Sequence, residues 1–151
     1  MQSKMILTRV AARRALMPCY GGVRTLATTT QVVNLEQGFA SFTEQWSPRV
    51  AGDINDFQIK LVKLQGEFVW HSHTVEDELF LVTKGTMQMK LRDPEERTAV
   101  VQAGEFIIIP AGIEHCPCAD DEVECILLEP NSTLNTGNVE NDRTVANLNE
   151  L

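Results

Sequence analysis

WHSHTVEDELFLVTKG, residues Trp70 to Gly85, sets two histidines and three acids directly ahead of the apolar run LFLV. The chain has three histidines in all, so two of them fall here, and they alternate. Residues two apart on a strand point to the same face, which puts both imidazoles on one side. The acidic segment Thr74–Asp77 reads as a turn, and an antiparallel partner strand begins at Glu78. With Glu78, Phe80 and Val82 facing inward, Leu79 and Leu81 face outward, and the Glu78 carboxylate lands near both histidines. The third histidine, His115, follows a second strand punctuated by glycine and proline, GEFIIIPAGIEH. Three imidazoles and one carboxylate can therefore meet inside a small barrel. That donor set suits Fe(II), Mn(II), Ni(II), Cu(II) or Zn(II).

The rest of the chain supports a barrel. From Phe57 it reads as FQIKLVKL, FVWHSH, ELFLVT, MQMKLR, TAVVQ, FIIIP, HCPCA and VECILLE. Turn signals separate these strands: Gln65-Gly66, residues 74–77, Lys84-Gly85, Asp93-Pro94, Ala103-Gly104, Ala111-Gly112 and Asp120-Asp121. Strands recurring about every ten residues argue for an all-β sandwich or barrel. Ahead of them, Asn34 is a good helix N-cap with Gln37 three residues on, and Leu35, Phe39, Phe42 and Trp46 keep helical spacing. Ser47-Pro48 is the expected stop, because proline disfavours helix at the residue before it. The terminal segment NSTLNTGNVENDRTVANLNEL is polar and reads as a surface-laid or loose tail.

Two spaced patterns carry a resemblance. Gly66-x4-His71-x-His73-x4-Glu78-x6-Gly85 resembles the first motif of the cupin superfamily, and Gly104-x5-Pro110-x-Gly112-x2-His115 resembles the second. The chain is most similar to small single-domain cupins of bacterial type, and LEPNSTLNTGNV resembles a segment of that group. The resemblance implies a double-stranded β-helix, the jelly-roll cupin barrel, with a short N-terminal helix. It also implies one divalent metal on His71, His73, Glu78 and His115, and a homodimer. Gly66 lies one residue closer to the first histidine than in the common pattern, and Ala119 stands where an asparagine often closes the second motif.

Other pocket candidates depend on strand register. If Gln65-Gly66 is a two-residue hairpin loop, Lys60 lies opposite His71 and Gln58 opposite His73, so Lys60 is an inward cation. A slip by one residue turns Lys63 inward instead. Glu67 and Asp77 are candidate general bases, although acids are common beside turns. Phe80 lines the interior, and Met87 and Met89 read as core. Cys116 and Cys118 are at odd offsets from His115 and should point away from it. With Cys19 near the N-terminus, the remaining three cysteines read as buried free thiols.

Charge divides the chain. Lys4, Arg9, Arg13, Arg14 and Arg24 are five of the 13 basic residues, and the first acid is Glu36. Residues 31–151 therefore hold 8 bases against 21 acids, a net charge of −13. So acidic a body repels phosphate backbones, which argues against nucleic-acid binding. The longest apolar runs are strand-length, and no membrane span is expected. The Arg-rich, acid-free N-terminus has the composition of a mitochondrial transit peptide, processed between Arg24 and Thr30. The expected organisation is a transit peptide at 1–30, a cupin domain at 31–135 and a polar tail at 136–151. The expected location is the mitochondrial matrix, or the cytoplasm if the N-terminus is not processed.

The leading functional expectation is a metal-dependent enzyme, Fe(II) favoured, acting on a small oxygenated molecule. Dioxygenase chemistry stands ahead of isomerase or lyase, because four ligands on an octahedral ion leave two positions for substrate and oxygen. Three neutral imidazoles and a carboxylate leave a dication at net +1, which attracts an enolate or carboxylate oxygen. The alternative is a non-catalytic metal or small-molecule binding module.

Overall fold

Alternation of inward and outward residues builds the body of the protein, of which a computed structural model describes residues 32–151. The transit peptide expected at residues 1–30 lies outside the described residues. In chain order the elements are α1 (Leu35–Ala40), β1 (Arg49–Ile54), β2 (Phe57–Glu67), β3 (Glu78–Lys84), β4 (Thr86–Arg92), β5 (Glu96–Gln102), β6 (Phe106–Ile109), β7 (Glu114–Pro130) and β8 (Asn149–Glu150). β3 buries Glu78, Phe80 and Val82, and β4 buries Met87, Met89 and Leu91, each every second residue. Gly85 joins these two strands at φ 85°. A Cβ there would lie 3.0 Å from both the Glu122 carbonyl oxygen and the Val123 side chain, so the turn has room only for glycine.

β7 is the spine of the fold. One edge pairs with β2 along most of its length. The other edge pairs first with β4, from Glu114 to Cys118, and then with β3, from Glu124 to Leu128. β5 extends the first half through β4, β6 extends the second through β3, and β1 and β8 continue outward from β2. The two halves face each other as a jelly roll, the architecture expected. Val62, Leu64, Phe80, Val82, Met87, Met89, Val123 and Cys125 fill the space between them. A second cluster covers the outer face of β2, where Phe39 and Phe42 bury Leu61. Burying such side chains contributes roughly 1.5–3 kcal/mol each. Because both faces of β2 are covered, Lys60, Leu61 and Val62 are buried in succession.

Several local expectations are corrected. The helix ends at Ala40 rather than Ser47: Ser41 Oγ donates to the Gly38 carbonyl at 2.7 Å, and the chain turns away. Its start is as expected, with Asn34 Oδ1 accepting from the Gln37 amide at 3.0 Å. The strand β1 follows directly and was not anticipated. Gln65-Gly66 is no hairpin loop but an irregularity inside β2, where Gly66 at φ 79° pairs with Ala119. Residues 68–73 form no regular strand; His71 makes one isolated bridge, to His115. HCPCA and VECILLE are one strand of 17 residues, with the exposed Asp120–Glu122 running where β7 passes from β4 to β3.

Candidate metal centre

His71, His73, Glu78 and His115 are brought together, all buried, with ligand atoms within 4.8 Å of one another. Glu78 opens β3, pointing inward by the alternation that also turns Phe80 in. His115 comes from the start of β7. His71 is locked to it by two backbone hydrogen bonds, His71 N–H to His115 O at 3.0 Å and His115 N–H to His71 O at 2.9 Å. The Gly112 amide donates to the His73 carbonyl at 2.7 Å, and the Ala111 amide donates to Asp77 Oδ1 at 2.9 Å. The two motifs are thus fastened to each other through their backbones.

Tautomers follow from the neighbours. His71 Nδ1 lies 3.0 Å from the Val69 carbonyl, and His115 Nδ1 lies 3.0 Å from the Ile113 carbonyl. A carbonyl only accepts, so each Nδ1 carries the proton and each Nε2 keeps its lone pair. Glu78 Oε2 is 3.2 Å from His73 Nε2 and 3.4 Å from His115 Nε2. These distances are close, but the atoms are not aligned as hydrogen bonds, and all three remain without a hydrogen-bond partner. Buried polar atoms are rarely left unmatched. Here their lone pairs converge, and the residues present fit a divalent cation.

Electrostatics act on the members in different directions. Burial, then the neighbouring His115, lowers His71 to about 4, so it is neutral at physiological pH. For Glu78 burial pushes upward, but His115 and His73 outweigh it and hold the carboxyl at about 2. Burial also works against protonation of His73, yet the Glu78 carboxylate outweighs it and raises the imidazole.

Beside the cluster a narrow cleft opens to solvent. His71, Glu78 and Phe80 line it together with Trp46, Phe68 and Asn135. Trp46 and Phe68 stack with ring centroids 4.8 Å apart, and the Phe68 edge approaches His71 at 5.4 Å. Phe80 is therefore at the site, its ring 6.1 Å from that of His115.

The other candidates are elsewhere. Lys60 is buried and inward, but its cross-strand neighbours are Val50 and Leu127. Its Nζ is held by Glu129 Oε1 at 2.7 Å. Lys63 packs over the Phe42 ring and pairs with Glu122. Glu67 is exposed, and its hydrogen bond from Lys90 at 2.7 Å holds its carboxyl below the usual range. Asp77 caps the Ala111 turn. Cys116 Sγ lies 3.9 Å from Glu67 Oε1 and Cys118 Sγ donates to the Gln88 carbonyl, so neither thiol faces the histidines. Cys116, Cys118 and Cys125 are buried free thiols, and burial raises each of them. Three residues of interest escaped sequence reasoning. Trp46 was assigned to the helix and Asn135 to the polar run near the C-terminus. Glu129 was detectable, because it continues the inward series Val123, Cys125, Leu127.

Comparison with known proteins agrees with this geometry. Residues 60–130 match the Cupin_2 family model, described as a cupin domain. A 63-residue stretch is 38% identical to the uncharacterized protein YdbB of Bacillus subtilis, spanning 42% of this chain and 54% of that protein, about half its length. A cupin-2 domain containing protein from Shewanella frigidimarina superposes with a TM-score of 0.63 at 46% identity, over 66% of this chain and 95% of that one. Hydroquinone 1,2-dioxygenase from Sphingomonas sp. TTNP3 superposes with a TM-score of 0.61 at 20% identity, over 68% of this chain and a third of that one (33%), a likeness of fold alone. With its jelly roll, its two fastened motifs and a relative matched over nearly its whole length, this chain belongs to the cupin-2 domain family.

Proposed function

We propose that the protein is a metal-dependent enzyme acting on a small oxygenated molecule, a dioxygenase-type oxidoreductase ahead of an isomerase or lyase. The observation that carries this reading is the convergence of His73 Nε2, His115 Nε2 and Glu78 Oε2, buried and without hydrogen-bond partners among the described residues, beside a cleft that His71 and Glu78 line together with Trp46, Phe68 and Phe80. His71, His73, Glu78 and His115 would hold the ion, Fe(II) favoured over Mn, Ni, Zn or Cu. When bound it would act as a Lewis acid and, if iron, supply redox chemistry toward oxygen. The protein's own part is to orient and to exclude water. Trp46, Phe68 and Phe80 offer flat apolar surface, and Asn135 is the polar wall residue outside the ligand set. Isomerases and lyases move a proton at carbon and need a positioned base. Glu67 and Asp77 are engaged outside the cleft, which favours oxygen chemistry.

The first experiment is elemental analysis of residues 31–151, purified from a host grown without added metal, beside His71→Ala. Near-stoichiometric iron that is lost in the variant, followed by oxygen uptake with small diols, thiols or keto acids, is the expected result. Zinc, nickel or manganese would redirect the assay to isomerase and lyase substrates. No metal after reconstitution would overturn the reading. Tight ligand retention without turnover would favour a binding module.

The N-terminal composition supports a mitochondrial matrix location, with processing between Arg24 and Thr30. Finding residues 2–10 intact in protein from its own cells would refute it. The exposed Val100, Phe106 and Ile108 support a homodimer, which a monomeric sedimentation mass would refute.

A further inference from the structure

Ser72 lies between His71 and His73, and its backbone has its partners on a different edge from theirs. His71 hydrogen-bonds to His115, and His73 accepts from Gly112. Ser72 N–H donates instead to Asn138 Oδ1 at 2.9 Å, and Ser72 O accepts from Asn138 N–H at 3.0 Å. One residue from the C-terminal segment thus satisfies both backbone groups between two ligands.

The segment that carries Asn138 is tied to itself. Asn135 Oδ1 accepts from the Val145 amide at 2.9 Å, and Asn135 Nδ2 donates to the Arg143 carbonyl at 2.9 Å. Thr136 is fully buried with its hydroxyl 2.8 Å from that of Thr144. Arg143 Nη1 reaches across to the Glu67 carbonyl at 2.6 Å, so the strap grips residues 67–73 at both ends. Gly137 lies flat against the ligand segment at φ 50°. A Cβ there would collide with the Ser72 carbonyl oxygen and come within 3.2 Å of His73 Nδ1.

We propose that Asn138, supported by Gly137 and the strap of residues 135–145, is a positioning residue for the metal centre. By fixing the peptide between His71 and His73 it sets how firmly the pair holds the ion. This rests on the metal reading above. Losing a group that orients a metal ligand typically costs about 10–100-fold in metal affinity.

The test uses the full chain loaded with Co(II), following the visible absorption spectrum and the rate of release to a chelator. Asn138→Ala keeps the amide bond to Ser72 O but loses the acceptor, and should release Co(II) roughly tenfold faster or more, with a shifted spectrum. Gly137→Ala should exceed it. Asn138→Asp retains an acceptor oxygen and should return to the parent rate. Asn34→Ala, a helix cap that makes no contact with Ser72, controls for lost stability and should leave release unchanged. Release from Asn138→Ala at the parent rate, or acceleration that Asn34→Ala matches, would overturn the positioning role while leaving the metal centre intact. A parent protein that takes up no Co(II) would overturn both.

Discussion

Two buried polar clusters lie side by side in this barrel, and they are satisfied in opposite ways. Lys60 Nζ sits 2.7 Å from Glu129 Oε1, with neither side chain more than 2% exposed. Lys60 donates to one oxygen of the Glu129 carboxyl, while Oε2 has no hydrogen-bond partner among the described residues. Next to them Leu79 pairs with Leu128 and Phe80 with Leu127, so Glu78 and Glu129 are cross-strand neighbours. Glu78, however, faces the Nε2 atoms of His73 and His115, and among the described residues none of His73 Nε2, His115 Nε2 and Glu78 Oε2 has a hydrogen-bond partner. The first cluster is joined by a direct hydrogen bond within the protein and belongs to the fold. The second is open toward its own centre, which is what a cation site requires.

Breaking the open cluster should change binding more than folding. His115→Ala is expected to take metal content from near one ion per chain to near none, while the metal-free protein keeps a cooperative thermal transition. Unchanged metal content would remove His115 from the ligand set.

Breaking the Lys60–Glu129 cluster should do the reverse. Above pH 8, where Glu129 is ionised, Lys60→Met leaves it buried without its cation and should cost about 3–5 kcal/mol in denaturant unfolding, with metal still bound. The double variant Lys60→Met, Glu129→Leu should recover most of that loss. A single variant as stable as the parent would mean that the pair is not buried in solution.

The smallest effect concerns pH. Burial, reinforced by the negative Glu78, raises Glu129 to about 8, with Lys60 offsetting part of the rise. The folded protein then holds this proton after the unfolded chain has released it. The contribution to stability is complete below the ordinary carboxylate value of 4.5 and is lost as pH climbs toward about 8. His71, lowered to about 4, contributes the opposite slope, lost as pH falls below 6.5. Subtracting the curve of Glu129→Gln from that of the metal-free parent isolates the Glu129 part. A difference that does not change with pH would show that Glu129 is ionised throughout.

The histidine cluster was legible because its rules are local. Alternation places His71 beside His73 and turns Glu78, Phe80 and Val82 inward, and motif spacing adds His115. Glu129 obeys the same alternation, continuing the buried series Val123, Cys125 and Leu127 along β7. Turn chemistry was less decisive. Gly66 and Gly85 both adopt positive φ, at 79° and 85°, yet one kinks a continuing strand and the other reverses it. Asp120-Asp121 has the composition of a turn, but the chain stays extended there as β7 passes from β4 to β3, with both residues exposed.

From the sequence alone came the all-β barrel, the acidic body and the four residues of the cluster. Each depends on composition or on spacing within a few residues. Only the tertiary structure decided that Trp46, Phe68 and Asn135 share one cleft, that Lys60 is held by Glu129, and that Asn138 clasps Ser72. The Lys60–Glu129 and Ser72–Asn138 hydrogen bonds join residues 69 and 66 positions apart. No periodicity links such positions. They meet because burying the apolar faces of β2, β3 and β7 leaves the chain one compact arrangement, and that arrangement brings them together.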